Sequence, residues 1–262
     1  MVYVTSDLHG FSLVKFKELL NNAGFANNDF LYILGDVVDR GDDAINILLW
    51  LMSVPNAQLI LGNHEAMMLS CQFICDEITE EMLNSFTYEK MQLISNWIYN
   101  GGEKTINGLK RLMKISPESV QNIFSYLHES PLYETVEVNK KDYLLVHSGL
   151  DNFSAGKSPE NYTANDLLWC WPNLDDCYYE DIITVFGHTP TISYGKTYAG
   201  KILKTKTWID VDTGAGQGGT PSLLRLDDLK EFCFLKHMEA NINEKTINSN
   251  SFMPADNFII SL

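Results

Sequence analysis

Residues 30–41 read FLYILGDVVDRG, an apolar run that stops at a glycine and continues into two aspartates and an arginine. The run FLYIL predicts a buried strand, because its apolar and aromatic residues are bounded by turn-forming residues. Two similar runs lie on either side of it in the sequence, VYVTS at residues 2–6 and AQLIL at residues 57–61. We therefore predict three strands in the early part of the chain.

The segments between these runs have the residue spacing of helices. Ser12 is placed to cap a helix whose apolar residues recur at helical intervals and whose end is marked by Gly24. Residues 44–52 form a second, almost wholly apolar helix that ends before Pro55. Alternation of strands and helices favours parallel strand pairing, so we expect an α/β core.

Polar residues suited to metal binding or catalysis follow five of the predicted strands. They are Asp7 and His9 in SDLHG, Asp36, Asp39 and Arg40 in GDVVDRG, Asn63, His64 and Glu65 in GNHE, His147 in LVHSG, and His188 in FGHT. Taken singly, an aspartate after a strand usually stabilises a turn, and an isolated histidine is usually structural. In an α/β sheet, however, the carboxyl ends of the strands form the edge where ligands bind. The five groups together therefore predict one shared site.

The rest of the chain predicts a helical insertion followed by a mixed sheet. Residues 65–130 are more polar and helical, and no linker rich in Pro, Gly or Ser separates them from the core. From residue 133 the strand patterns return, with two predicted hairpins and two further strands. We expect a single domain over residues 1–238, with its helical insertion at 65–130. For the tail at 239–262, a docked strand and a loose segment both remain open.

Composition and charge restrict the functions that are compatible with this chain. It has 19 Lys and Arg against 34 Asp and Glu, and the resulting net charge of −15 disfavours binding to a nucleic-acid backbone. Five cysteines without a CxxC pair are typical of reduced thiols in the cytosol. The N-terminal residues lack the features of a signal peptide, and no apolar run is long enough to span a bilayer. We expect a cytoplasmic protein without membrane association.

The motifs at the strand ends resemble those of a known family. The chain is similar to the phosphoprotein phosphatase family of calcineurin-like metallophosphoesterases in the order of DLHG, GDVVDRG, GNHE, a His-Ser-Gly and GHT. The resemblance runs from residue 4 to about residue 219 and includes IDVDTGAG. The segment WIYNGGEKT at 97–105 resembles the bacterial and phage branch, which includes symmetrical diadenosine tetraphosphate hydrolases. This resemblance implies two mixed β-sheets in a sandwich, flanked by helices.

The resemblance also implies a site for two divalent metal ions. It assigns Asp7 and His9 to the first metal, Asp36 to both, and Asn63, His147 and His188 to the second. Imidazole, carboxylate and amide ligands suit Mn²⁺, our first choice, with Fe, Zn, Co or Ni as alternatives. Two ions roughly 3.5–4 Å apart can acidify a bridging water for direct attack on a phosphate ester. They would also offset the repulsion between the phosphate and an acidic protein.

Three further residues are implied to act on the phosphoester itself. His64 would be the general acid that protonates the leaving oxygen. Asp39 would hydrogen-bond this imidazole and favour its protonated form. Arg40 would hold two phosphate oxygens with its planar guanidinium. The alternatives are a helix cap for Asp39 and a surface ion pair for Arg40, and we expect Glu65 to orient the loop or a histidine behind the metal ligands rather than to bind metal.

The stretch LLWCWPN at residues 167–173 departs from the family pattern. Trp171 stands where bacterial relatives carry a second phosphate-binding arginine, and neither Arg111 nor Arg225 is an obvious replacement. Lys196 or Lys201, which follow GHT, could instead approach the site. An indole cannot pair with phosphate oxygens, but it can stack on a flat group. Two interpretations stay open: Trp171 belongs to the core, or it lines the site and contacts an aromatic leaving group such as a nucleobase, a phosphotyrosine or an aryl phosphate.

We predict a dimetal phosphoester hydrolase that forms no phosphoenzyme, because no Ser or Cys nucleophile motif accompanies the metal-binding motifs. A Ser/Thr (or Tyr) protein phosphatase is the first choice, and a dinucleoside polyphosphate hydrolase is the alternative. A non-catalytic, metal-dependent binding protein is an alternative from another class, supported only by the missing arginine. The expected partner is a phosphorylated protein or a small phosphoester, and the sequence predicts no oligomeric state.

Overall fold

Two five-stranded β-sheets form the framework of the protein. The computed structural model describes residues 1–76, 79–80 and 86–234, so the expected tail at 239–262 and part of the helical insertion lie outside the described residues. In chain order the strands are Val2–Thr5 (β1), Phe30–Leu34 (β2), Ala57–Ile60 (β3), Tyr133–Val138 (β4), Lys141–Val146 (β5), Ile182–Phe186 (β6), Leu203–Lys204 (β7), Trp208–Asp210 (β8), Ser222–Arg225 (β9) and Lys230–Cys233 (β10). The helices are Leu13–Ala23 (α1), Ala44–Ser53 (α2), Asn63–Ser70 (α3), Tyr88–Tyr99 (α4), Glu103–Ile115 (α5), Pro117–Glu129 (α6) and Ala164–Leu168 (α7).

Both sheets combine parallel and antiparallel pairs. The first has the order β10-β9-β1-β2-β3, and its β1–β2 and β2–β3 pairs are parallel, as the alternation of strands and helices predicted. The second has the order β4-β5-β6-β8-β7, with β5, β6 and β8 parallel to one another. The β4–β5 and β9–β10 hairpins are antiparallel, as predicted. Six strands therefore end in the same direction as a neighbour, and most of the polar motifs follow these strands.

The helix boundaries follow from local chemistry. The Ser12 side chain accepts a hydrogen bond from the backbone N–H of Lys15 at the start of α1. Gly24 follows the helix with a φ of 79°, a left-handed conformation that glycine adopts without a Cβ clash. Ser116 caps α6 in the same way, by accepting from the N–H of Ser119. The capping residues therefore lie where the sequence predicted helix ends.

A layer of aliphatic side chains joins the two sheets face to face. It includes Val4 and Leu34 from the first sheet and Leu145, Val185 and Ile209 from the second. All five side chains are buried, and removal of their apolar area from water favours stacking of the sheets. This packing is the sandwich that the resemblance implied.

Helices and loops cover the outer faces of the sandwich. On the first sheet, one cluster joins Phe16 of α1 and Ile47 of α2 to Trp97, Leu109 and Ile123 of the helical insertion. On the second sheet, the chain between β5 and β6, which includes α7, supplies the cover. Within the described ranges, no helix combines the length and the apolar character needed to cross a bilayer.

Candidate dimetal active site

The five predicted groups of polar residues meet where the carboxyl ends of strands from both sheets come together. The residues follow their strands directly: Asp7 after β1, Asp36 after β2, Asn63 and His64 after β3, His147 after β5, and His188 after β6. Almost all of these side chains are buried, although imidazoles, amides and carboxylates are usually solvated. The fold thus gathers in one place side chains that are up to 181 residues apart in sequence.

The backbone is strained at this site. Six site residues have a positive φ: Asp7 at 53°, His9 at 42°, Asp36 at 54°, Asp39 at 71°, Arg40 at 62° and His188 at 67°. This left-handed region costs a non-glycine residue roughly 1–3 kcal/mol. Such outliers persist only where surrounding packing enforces them, and their concentration here indicates a functional centre.

Two glycines of the motifs allow the close approach of the elements. A Cβ on Gly35 would lie 2.5 Å from the Cα of Gly62 and 2.5 Å from Nδ1 of His147. A Cβ on Gly187 would lie 2.3 Å from Oδ2 of Asp7. Any larger residue at either position would push the site-forming loops apart.

One group of ligand atoms surrounds the carboxylate of Asp36 from the side of the second sheet. Nε2 of His147 lies 3.5 Å from Oδ1 of Asp36, 3.1 Å from Nδ1 of His188 and 2.8 Å from Oδ1 of Asn63. If the Asn63 amide were turned over, its nitrogen would donate to these atoms instead. When the amide oxygen of Asn63 faces these atoms, as it does here, lone pairs from four side chains point toward one position. A cation requires this arrangement. The donor set therefore fits a divalent metal.

A second group shares the same Asp36 carboxylate. Its Oδ2 lies 3.5 Å from Nε2 of His9, and this nitrogen lies 3.7 Å from Oδ1 of Asp7. Nε2 of His64 is also near, at 3.8 Å from Asp36, so distance alone permits His64 as a ligand. However, this nitrogen also lies 3.2 Å from Nη2 of Arg40, a strong donor that competes for its lone pair. We therefore favour Asp7 over His64 as the ligand beside His9.

Backbone carbonyls fix the orientation of two of the imidazoles. Nδ1 of His9 lies 3.0 Å from the carbonyl oxygen of Val38, and Nδ1 of His147 lies 2.7 Å from that of Leu34. A carbonyl only accepts, so each Nδ1 carries the proton and each Nε2 presents its lone pair to the site. Both histidines are thus held in the tautomer that binds metal through Nε2.

Glu65 holds the loop that carries Asp36. Its carboxylate accepts hydrogen bonds from the backbone N–H groups of Asp36, Val37, Val38 and Gly62, at distances between 2.7 and 3.2 Å. Burial raises the pKa of Glu65 to about 7, although these N–H groups act in the opposite direction. The side chain is thus fully engaged with the backbone, which agrees with the expected orienting role.

His64, Asp39 and Arg40 form a contiguous unit. Nδ1 of His64 lies 2.6 Å from Oδ2 of Asp39, and its Nε2 lies beside Arg40. The residue at the N-cap position of the helix that follows is Asp43, so Asp39 is not its cap. Burial and the charge of Arg40 lower the pKa of His64 well below its ordinary value, whereas burial raises the pKa of Asp39 to about 7. Burial and Arg40 thus oppose the protonated imidazole that Asp39 is expected to favour, and the role of Asp39 stays a prediction.

Two residues of the helical insertion hold Asp39, and the sequence reasoning did not identify them. Nε1 of Trp97 donates to both carboxylate oxygens, at 3.0 and 2.9 Å. The Thr105 hydroxyl donates to Oδ1 at 2.6 Å and accepts from the Asp39 N–H at 2.8 Å. Both residues lie in WIYNGGEKT, the segment singled out above only for its resemblance. The first and last residues of this segment, Trp97 and Thr105, both hydrogen-bond to Asp39, which gives the segment a structural role.

Negative charge is concentrated at the site beyond what the motifs indicated. Asp210 and Asp212, which lie at and just after the end of β8, are almost fully buried and were not predicted as site residues. Burial raises the pKa of Asp7 well above its usual range, and the nearby Asp212 raises it further. Burial also raises the pKa of Asp36, with Asp7 contributing. Bound cations would compensate for this charge, which again fits divalent metals.

Trp171 is not part of the core. It is 49% exposed, and its ring centroid lies 5.8 Å from that of His188 at an interplanar angle of 78°. Arg225 forms a bidentate pair with Asp228 in the β9–β10 hairpin, and Arg111 is exposed on α5. Of these three arginines, Arg40 is therefore the one that lies among the predicted metal ligands. The indole of Trp171 lies at the edge of the same site.

Comparisons with known proteins give a consistent result. A family model described as calcineurin-like phosphoesterase matches residues 1–213. A symmetrical bis(5'-nucleosyl)-tetraphosphatase of Buchnera aphidicola subsp. Baizongia pistaciae is 21% identical over 88% of this chain and 96% of its own. An asymmetrical bis(5'-nucleosyl)-tetraphosphatase of Oceanobacillus iheyensis is 23% identical over 94% of this chain and 96% of its own.

The fold has a counterpart among solved structures. The crystal structure of a protein provisionally assigned as a diadenosine tetraphosphatase superposes with a TM-score of 0.57 and 17% identity, over 88% of this chain and 90% of that one. At this identity the similarity concerns the fold, and it extends across both sheets. The residues that the family model matches contain all the motifs of the site, and this chain belongs to the calcineurin-like phosphoesterase family of hydrolases.

Proposed function

We propose that this hydrolase cleaves phosphoester or phosphoanhydride bonds at a centre of two divalent cations. One observation carries the proposal: the Asp36 carboxylate is shared by two ligand groups, with Oδ2 facing His9 and Oδ1 facing His147. A carboxylate shared in this way can bridge two ions. Six residues would hold the ions: Asp7, His9, Asp36, Asn63, His147 and His188.

Bound divalent cations would supply positive charge for phosphate oxygens and lower the pKa of a coordinated water. The donor set suits Mn²⁺, which is therefore the first metal to test. The protein's own contribution lies in holding these ligands at fixed positions. Backbone carbonyl groups orient the imidazoles of His9 and His147, and the backbone N–H of His188 donates to Oδ2 of Asp7 at 2.8 Å.

Arg40 and His64 would act on the substrate itself. The guanidinium of Arg40 would hold a phosphate oxygen, and its Nη2 lies 3.2 Å from Nε2 of His64. A phosphate bound there would place its leaving oxygen near the imidazole. The negative charge of that phosphate would raise the pKa of His64 toward the range in which it can donate a proton. Asp39 would keep the ring oriented through the 2.6 Å contact at Nδ1.

For the substrate, we propose a dinucleoside polyphosphate rather than a phosphoprotein. Two relatives that align over nearly their whole length are named as bis(5'-nucleosyl)-tetraphosphatases. The half-exposed Trp171 beside His188 also suits a substrate with a flat aromatic group. The protein phosphatase stays a prediction, to be tested in the same assay.

The test is a comparison of substrates on the Mn²⁺-loaded protein. We expect a higher kcat/KM for diadenosine tetraphosphate than for a phosphoserine peptide, with p-nitrophenyl phosphate as a general reference. The nucleotides released show whether the chain is cut symmetrically. Asp36→Asn should abolish turnover, whereas Asp42→Asn, a matched change at an aspartate that is 81% exposed, should not. Bound metal without turnover of any of the three would favour the non-catalytic alternative.

A further inference from the structure

An aromatic cavity opens next to the metal ligands and has no role in the chemistry described above. Its volume is about 380 Å³, which falls within the range of roughly 300–1,000 Å³ that is usual for small-molecule sites. We call it the aromatic pocket and define it by Phe153, Trp169, Trp171 and Tyr178, with Asp151 and Asp176 among its polar residues. Its size and lining suit a small organic group.

The aromatic pocket lies directly beside the proposed metal centre. The ring centroids of Trp169 and Trp171 lie 6.2 and 5.8 Å from that of His188, and both indoles are nearly perpendicular to the imidazole. A ligand whose phosphate lies beside His188 would therefore need to extend only past the neighbouring indole rings to enter the pocket. The two sites are placed to bind two parts of one molecule.

Hydrogen bonds fix the walls of the pocket. The Tyr178 hydroxyl accepts from the N–H of Leu150 at 2.9 Å, and Nε1 of Trp208 donates to the carbonyl of Asp176 at 2.8 Å. The N–H of Cys170 donates to Oγ of Ser148 at 3.1 Å, directly beside the metal ligand His147 in the chain. The walls are thus attached to the same strand end as the metal centre, so a ligand would meet a preformed site.

The chemistry of the lining selects one part of a nucleotide. Neither Lys nor Arg occurs among the residues lining the pocket, and the carboxylates of Asp151 and Asp176 would repel a phosphate chain. The exposed indole of Trp171 offers a flat face, and the carboxylates accept hydrogen bonds. A nucleoside supplies both complements, a flat base and donors on its amino group and ribose hydroxyls. A phosphotyrosine ring lacks such donors, because its oxygen is esterified.

We propose that the aromatic pocket binds the nucleobase of the substrate, stacked on Trp171, while the phosphates occupy the metal centre. This proposal rests on the proposed function, because it identifies the pocket by its position beside the phosphate site. Trp171 then contributes to substrate binding at the position where the resemblance implies a second phosphate-binding arginine. Its contact would be stacking on the base rather than a charged contact with phosphate.

The experiment measures binding of ADP and of pyrophosphate by calorimetry to the Mn²⁺-loaded protein, so that the base is the difference between the ligands. In Trp171→Leu, we expect the Kd for ADP to rise about tenfold, in line with the loss of one base–indole stack, and the Kd for pyrophosphate to change less than about twofold. Trp171→Phe should retain most of the affinity for ADP. Leu174→Ala, at a residue of the same loop that is 40% exposed and does not line the pocket, is the matched control.

The outcomes separate this proposal from the proposed function. An equal change in the Kd of ADP and pyrophosphate in Trp171→Leu would overturn the nucleobase pocket, even if the enzyme hydrolyses phosphoesters. A wild-type protein that binds ADP through Trp171 but hydrolyses no phosphoester would support the pocket and remove the proposed function. If a phosphotyrosine peptide loses affinity in Trp171→Leu while ADP does not, the pocket serves aryl phosphates and the nucleobase assignment is wrong. Unchanged metal content and thermal stability of each variant show that it is folded.

Discussion

As the proposed general acid, His64 would be subject to two opposing demands. A general acid must carry a proton, yet burial and the charge of Arg40 lower the pKa of this imidazole well below its ordinary value. Asp39, 2.6 Å from its Nδ1, favours the charged ring, and a phosphate dianion held by Arg40 would do the same. The histidine is therefore expected to gain its proton together with the substrate rather than in the free protein.

This expectation predicts a dependence on the leaving group. His64→Asn should lower kcat by about 10²–10⁴-fold on a nucleotide substrate, whose leaving oxygen needs a proton. The loss on p-nitrophenyl phosphate should be much smaller, because nitrophenolate leaves without one. Steady-state kinetics on both substrates, with metal content measured for each sample, provides the comparison.

The control is His128→Asn, at an exposed histidine of α6 whose Nε2 lies 3.0 Å from Oε1 of Gln72. It should leave both activities unchanged. Loss of a metal ion in His64→Asn would instead show that His64 is a ligand beside His9 and Asp36, an arrangement that the distances between their ligand atoms allow. An equal loss of activity on both substrates would contradict the general-acid role.

At the scale of elements, the helical insertion holds the loop of Asp39 and Arg40 as well as covering the sheet. Trp97 of α4 and Thr105 of α5 grip the carboxylate of Asp39, and the carbonyl of Gly101 between them accepts from the N–H of Arg40 at 3.0 Å. A Cβ on Gly101 would lie 2.8 Å from Cγ of Arg40, so the turn needs glycine there. The α4–α5 turn is thus a clamp on the loop that carries Asp39 and Arg40.

Weakening the clamp should affect turnover more than binding. Trp97→Phe removes the donor to Asp39 while keeping an aromatic ring, and Thr105→Val removes the hydroxyl while keeping the shape. Each change deletes a hydrogen bond to a buried carboxylate, and we expect kcat to fall about tenfold with KM within about twofold. Thr105→Ser should restore most of the activity.

Two measurements distinguish positioning from general stability. Trp50→Phe, at a half-buried tryptophan of α2 that packs edge-to-face against Phe16, should leave kcat unchanged. In an Asp39→Asn background, Trp97→Phe should have little further effect, because both act through the same imidazole. Additive losses would show that Trp97 acts independently of Asp39.

The same contacts explain what could and could not be predicted from the sequence. The strands and helices were predictable because their signals are local, such as Ser12 and Gly24 at the two ends of α1. The residues that hold Asp39 were not, because Trp97 and Thr105 are 58 and 66 positions away and nothing local marks them as donors. The buried Asp210 lies in IDVDTGAG, which the resemblance included, but it stands within a strand pattern and nothing local marks its carboxylate as part of the site. Tertiary contact gives these residues their roles.

At the scale of the whole molecule, the sandwich brings two parallel strand edges against each other, and this meeting forms the site. The first sheet supplies Asp7 and Asp36, and the second supplies His147 and His188. The sequence predicted the shared edge because each motif follows a strand. Whether Trp171 lies in the core or at the surface could not be predicted, because a tryptophan between polar residues suits both equally.

The concentration of buried carboxylates makes the stability of the metal-free protein depend on pH. Burial raises the pKa of Asp39 and Glu65 to about 7, and it raises the pKa of Asp7 and Asp36 well above the ordinary value. A carboxylate whose pKa is raised by folding contributes stability at low pH and loses it as the pH rises through the folded-state pKa. Burial lowers the pKa of His147 to about 4, and such a histidine costs stability only below its unfolded pKa, near 6.5. Between pH 6.5 and 8, the carboxylates therefore decide the direction, and the metal-free protein should lose stability.

Metal binding should reverse this trend, because cations bind the deprotonated ligands and compete with protons. We predict that the difference in Tm between the Mn²⁺-loaded and the chelator-treated protein grows from pH 6.5 to pH 8. One proton released per unit of pH corresponds to about 1.4 kcal/mol, and each kcal/mol shifts the Tm of a chain of this size by roughly 2–4 °C. Scanning calorimetry at the two pH values measures the difference. Asp36→Asn should lose most of the metal-induced shift and Asp42→Asn should retain it, whereas a shift that shrinks with rising pH would show that the buried carboxylates do not hold the metal.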